Sequence, residues 1–131
     1  MRKGFTLLEL MVVIIVIGVL ATLGFVQYTT VIEKGRRGEA ASILGTMRQM
    51  AEVEFQETGN YPTTAAQLQA LMGAGFAAGA CNGSYYFQYS MDAAGTGTAT
   101  RCTGGGKAPQ GTAADTMTLT IAGGKGGTVT W

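Results

Sequence analysis

The sequence contains no histidine, and only 13% of its 131 residues are charged. The first absence removes the commonest general base near neutral pH and the commonest metal ligand. The second, set against roughly 25% charged residues in an average soluble domain, excludes a charged, disordered chain. With 9 Lys and Arg against 8 Asp and Glu there is no basic surplus. A nucleic-acid partner, which requires neutralised phosphates, is therefore not expected. The 21 glycines follow no triplet repeat, which excludes collagen. No nucleophile–base pair, metal cluster or cofactor loop is visible, so neither an enzyme nor a bound cofactor or metal is expected. Gly104-Gly105-Gly106-Lys107 lacks the Ser or Thr that follows a phosphate-cradling loop, and reads as solvated surface.

What is present is unevenly spread. Arg2 and Lys3 open the chain, Glu9 is the single charge between Phe5 and Ile32, and Leu10 to Ile32 is a run of 23 uncharged residues. About 20 apolar residues span a bilayer core as a helix. A buried core helix is a poor alternative, because the rest of the chain holds too few apolar positions to surround it. A secretory signal peptide cut near Ala21-Thr22-Leu23-Gly24 is the closer rival. Glu9 inside the run argues against it, as does the helical pattern that continues past that point. Arg2 and Lys3 before the run, and Lys34, Arg36 and Arg37 after it, leave orientation open by charge counting.

The helical pattern runs on. Ala40, Ile43 or Leu44, Met47, Met50 or Ala51, and Phe55 recur at steps of three and four, one apolar stripe in which Met47 and Met50 are core. A helix from Phe5 to Gln56 would be about 78 Å long at 1.5 Å per residue. Bending or melting is expected near Gly24 and near Gly35 to Gly38. Glu33 and Arg37 have the spacing of an exposed ion pair. Thr58-Gly59-Asn60-Tyr61-Pro62 stops the helix, and Thr64 with Gln67 forms a capping box for a short helix, Ala65 to Met72. Gly73 to Gly83 reads as a loop. Beyond it the period becomes two: Tyr85, Phe87, Tyr89 and Met91 mark one strand. Thr98 to Cys102, Met117 to Ile121 and Thr128 to Trp131 are further strands, the last two a hairpin across Gly123 to Gly127. The fold class is α+β, a long N-terminal helix whose hydrophobic half protrudes and whose amphipathic half packs on a small antiparallel sheet.

Two cysteines, Cys81 and Cys102, match no metal or redox motif. On an oxidising side of a membrane they would pair, closing a loop of about 22 residues worth roughly 3 kcal/mol in a chain-entropy treatment. The C-terminal part would then be extracytoplasmic and the N-terminus cytoplasmic. Two free core cysteines are the alternative.

Gly4-Phe5-Thr6-Leu7-Leu8-Glu9-Leu10, behind a basic stub and ahead of an apolar run, resembles the class III signal of type IV pilins and their relatives. The resemblance continues through Gln27-Tyr28 and reappears at Thr58 to Thr64. It implies four segments: leader 1–4, membrane or filament-core helix 5–32, amphipathic helix 33–56 and globular head 57–131. It implies cleavage between Gly4 and Phe5 by a prepilin peptidase and N-methylation of Phe5. The chain would sit in the cytoplasmic membrane as a single pass, then join a helical homopolymer that ends outside the cell. Its partners would be further copies of itself, an inner-membrane assembly platform and minor pilins. Glu9 would pair with the Phe5 amine of a neighbouring subunit. The physics of Glu9 points the same way: a lone carboxylate among apolar residues needs a cation, a proton or an escape to the lipid interface. Removing Arg2 and Lys3 leaves 7 basic against 8 acidic residues, a balance of −1 that sets little repulsion against assembly.

The resemblance has departures. Many type IV pilins carry Pro where this chain has Val26, which changes the expected site of a kink. Tyr61-Pro62-Thr63-Thr64 and Leu68-Gln69-Ala70-Leu71 are also similar to the major pseudopilin of type II secretion. That family binds calcium through acidic residues of a C-terminal loop and usually lacks the cysteine pair. Here only Asp92 and Asp115 are acidic beyond Glu57, short of the six to eight oxygens calcium takes. The expected function is therefore a pilus subunit for adhesion, motility or DNA uptake, with a secretion pseudopilin as the alternative.

Overall fold

A computed structural model describes residues 4–111, 116–120 and 129–130. The elements are α1 (Leu7–Thr58), α2 (Ala65–Met72), β1 (Phe87–Met91), β2 (Thr96–Arg101), β3 (Thr116–Thr120) and β4 (Val129–Thr130). The chain divides into two compact units, Met1–Arg36 and Arg37–Trp131.

In the first unit the large apolar side chains described between Phe5 and Val31 are 48% to 84% exposed. This stretch is hydrophobic on every side, the pattern of a helix that water does not surround. It is long and apolar enough to cross a membrane. The melting expected at Gly24 and Gly35 to Gly38 is not found, and α1 is unbroken through those positions. A helical glycine costs only about 1 kcal/mol relative to Ala, and it keeps its backbone hydrogen bonds. Glu33 forms an ion pair with Arg36, three residues on.

In the second unit one face of α1 is buried at Ala40, Leu44, Met47 and Ala51. It joins Leu68 of α2, Phe76 and the β1 residues Phe87, Tyr89 and Met91 in one core. The stripe expected from sequence is found with two corrections. Met50 is 43% exposed and not core, because Ala51 takes the inward position. Phe55 is 38% exposed, with its ring stacked on Tyr61 at 4.4 Å. The capping box is present: Gln67 N donates to Thr64 Oγ1 at 3.3 Å, and Thr64 N donates to Gln67 Oε1 at 3.0 Å. It starts α2 at the expected residue, Ala65.

The sheet is antiparallel in the order β1-β2-β3-β4, with Tyr89 opposite Ala99 and Ala99 opposite Met117. Burial alternates along β1, with Phe87, Tyr89 and Met91 inward. β1 starts at Phe87 rather than Tyr85, whose N–H is held in a turn by Asn82 O at 3.2 Å. β2 starts at Thr96 rather than Thr98, since Asp92 N donates to Thr96 O at 3.1 Å and closes a tight hairpin. The segment expected as plain loop contains a parallel bridge from Ala78 to Tyr89. β3 pairs with β4 as a hairpin. Ile121, Gly123 to Gly127, Thr128 and Trp131, which the sequence reading placed in this hairpin, lie outside the described residues.

Candidate functional site

The N-terminal site begins with residues that are not helical. Gly4, Phe5 and Thr6 precede α1, and Phe5 is 80% exposed. Thr6 supplies the N-cap: its Oγ1 accepts from Glu9 N at 3.3 Å, and its carbonyl accepts from Glu9 N at 3.1 Å and Leu10 N at 3.3 Å. Glu9 is therefore in the first turn of α1. There the unpaired amides of a helix N-terminus favour negative charge. The Thr6-x-x-Glu9 spacing of a capping box is present in the sequence. Gly4, Phe5 and Glu9 thus share one exposed helix start. The Gly4–Phe5 bond lies in exposed, non-helical backbone.

The second unit carries a cystine. Cys81 and Cys102 are bonded with Cα atoms 5.9 Å apart, and tie the segment after α2 to the residue following β2. The chain beyond Cys102 folds back on the segment before β1 and on Cys102 itself. Lys107 N donates to Tyr85 O at 2.8 Å, and Gly111 N donates to Cys102 O at 2.9 Å. Gly106 is buried where a Cβ would come within 2.4 Å of Cys102 Cβ, so only glycine fits that turn without displacing the cystine. The Gly104–Lys107 stretch is thus partly a packing element rather than wholly solvated surface.

Arg101, which sequence reasoning did not single out, is 4% exposed. Its guanidinium donates to Tyr86 O at 2.8 Å and Pro109 O at 2.9 Å, and lies over the Tyr86 and Phe87 rings. It fastens the loop after the cystine to the sheet. The period-two pattern of β2, with Gly97 and Ala99 inward, was the signal that could have placed it.

Tyr89 lies deep in the core, and burial pushes its phenol well above the usual tyrosine range. Asp92 is exposed at the β1–β2 turn, and the Thr96 N–H holds its carboxyl below the usual value. Asp115 lies outside the described residues. Among the described residues no group of three or more His, Cys, Asp or Glu could hold a metal ion.

A short non-helical start, a helix apolar on all sides and a cystine-braced α+β unit define a pilin-like protein. The comparisons agree. Residues 1–25 match the prokaryotic N-terminal methylation motif. The chain is 34% identical over 95 residues to the fimbrial protein EcpC of Eikenella corrodens, covering 72% of this chain and 58% of that one. It is 40% identical over 73 residues to the type II secretion system core protein G of Klebsiella pneumoniae, covering 56% and 52%. It is 40% identical over 52 residues to the type IV major fimbrial protein FimA of Dichelobacter nodosus, covering 40% and 33%. The chain spans about half the length of the curated relatives it matches. No solved structure matches it. The chain thus carries the N-terminal methylation motif and is similar to type IV pilins and to pseudopilins of type II secretion.

Proposed function

We propose that this chain is a structural subunit of a type IV pilus, cut between Gly4 and Phe5, N-methylated on Phe5 and polymerised through the apolar part of α1. The observation that carries the reading is the pairing of the methylation motif with an apolar stretch whose large side chains are exposed. Such a surface is stable only in lipid or against further copies. The subunit waits in the cytoplasmic membrane as a single pass and leaves it on assembly. The free amine of Phe5 then supplies the cation for Glu9 of a neighbour, which removes an uncompensated charge and sets the axial register. The amides at the start of α1 offset part of that charge within one chain, so Glu9 is tolerable in the membrane before assembly. The cystine supports an extracytoplasmic second unit. Processing and assembly bring in a prepilin peptidase, an inner-membrane platform and minor pilins. The work is mechanical rather than catalytic.

The similarity to a type II secretion core protein over 73 residues supports a second reading, a secretion pseudopilin. One experiment separates them: shear the cells, collect filaments and determine the N-terminal mass of the chain in each fraction. Abundant filament chains beginning at methylated Phe5 support the pilus. Chains beginning at Phe5 but confined to membranes support the pseudopilin. Chains that keep Met1 or start after Ala21 overturn both. In the same assay Glu9→Val should remain in the membrane and lose assembly, and a normal filament yield would remove Glu9 from the mechanism.

A further inference from the structure

The second unit has a groove of about 340 Å³ between the outer face of α1 and α2. Its floor is Met50, Val53 and Leu71, with Met50 43% and Val53 56% exposed, and its rim carries Glu54 and Glu57. The acid is in an unfavourable place. Glu54 and Glu57 lie in the last turns of α1, where the helix dipole already presents negative charge, and the last turn holds no basic residue. Neither carboxylate forms an ion pair among the described residues. A local rule broken at an exposed apolar groove marks a surface shaped for something outside the chain.

We propose that this groove receives the Lys107–Pro109 loop of a second copy of the chain. The proposal rests on the filament reading above and names one of its contacts. The occupant follows from charge and shape. Outside α1, Lys107 is the exposed cation among the described residues, since Arg101 is buried. Its ammonium sits over the Tyr86 ring at 4.7 Å and meets no carboxylate among the described residues. Ala108 and Pro109 follow it, both exposed and apolar. A base followed by two small apolar residues complements an apolar floor with an acidic rim. The loop is also held in shape beforehand, by Lys107 N to Tyr85 O, by Arg101 to Pro109 O and by Gly106 against the cystine. Little ordering is then lost on docking. The other basic stretch fits less well: Lys34 is flanked by Glu33 and Gly35, which bring a repelling acid and no apolar side chain.

The test uses the full chain in cells that assemble it. Lys107→Glu, and separately Glu54→Lys with Glu57→Lys, should each lower the yield of sheared filaments about tenfold, and combining them should restore it. Peptide mapping of the Cys81–Cys102 bond in each variant confirms that the second unit has folded. Independently, Val53→Cys with Ala108→Cys should give covalent multimers on oxidation of assembled filaments. If the unaltered chain forms filaments but charge reversal changes nothing, the combination does not recover, or Val53→Cys crosslinks to Lys34→Cys instead, the groove contact is wrong and the filament reading stands. If the unaltered chain forms no filament, both fail.

Discussion

Two stretches of the same helix, Leu10 to Val31 and Ala40 to Ala51, meet their surroundings in opposite ways. The first displays Val, Ile and Leu on every side, with exposures near half or above for the large side chains described. The second buries one face, at Ala40, Leu44, Met47 and Ala51, and leaves Met50 outward. Both are apolar by composition, and what separates them is angular distribution. A stripe can be satisfied by one sheet, whereas an all-round apolar surface needs a surrounding medium of lipid or other helices. The first stretch therefore adds little to the core of a single chain, whereas the second builds that core with its inward face.

The largest expected effect tests that division. Leu44→Ala should cost about 2–5 kcal/mol by leaving a cavity in the core. Ile14→Ala, at a position 66% exposed, should leave the unfolding of the second unit unchanged. Denaturant unfolding of the full chain in detergent, followed by tryptophan-independent circular dichroism, reads both. Equal losses would mean that the apolar stretch supports the fold after all. Removal of the cystine ranks next. With its halves 21 positions apart along the sequence, replacing both Cys81 and Cys102 by Ser should cost roughly 3 kcal/mol. The loss should appear as a lower denaturant midpoint of the second unit, with membrane insertion of the first unchanged.

The same contrast decides what the sequence disclosed. Local signals were legible: the Thr64–Gln67 capping box fixes the start of α2, and alternation fixes the inward residues of β1. Position within a stripe was not, because Met50 and Ala51 are both apolar and adjacent, and only packing against the second unit's core chooses Ala51. Arg101 was missed for a related reason. A cation reads as surface until the carbonyls of Tyr86 and Pro109, brought together by long-range pairing, supply its donors with acceptors. The glycines of α1 erred the other way, since their propensity cost is real but smaller than what holds the helix on either side. At the N-terminus, Gly4, Phe5 and Glu9 were legible as a motif, and Thr6 lies at capping-box spacing before Glu9, where the bond from Glu9 N to Thr6 Oγ1 makes it the cap.

The smallest expected effect lies at the β1–β2 turn and sharpens the view of the second unit as self-contained. Asp92 Oδ1 accepts from Thr96 N at 2.8 Å and Ala94 N at 2.9 Å. These bonds, the one from Thr96 foremost, hold the carboxyl below its usual value of 3.8. A carboxyl lowered by folding contributes stability that is present above its unfolded value and is lost as the pH falls through the folded one. Acidification from about pH 4 downward should therefore loosen this turn first. Asp92→Asn keeps the acceptor oxygen and removes the titration. Amide exchange at Thr96 and Ala94 should quicken, relative to the rest of the sheet, as the unaltered chain is acidified through that range, and should show no such step in Asp92→Asn. An identical step in both chains would assign the acid sensitivity to another carboxylate. Because Asp92 is fully exposed, the change should stay confined to the turn and leave the buried pairing of Tyr89 with Ala99 intact.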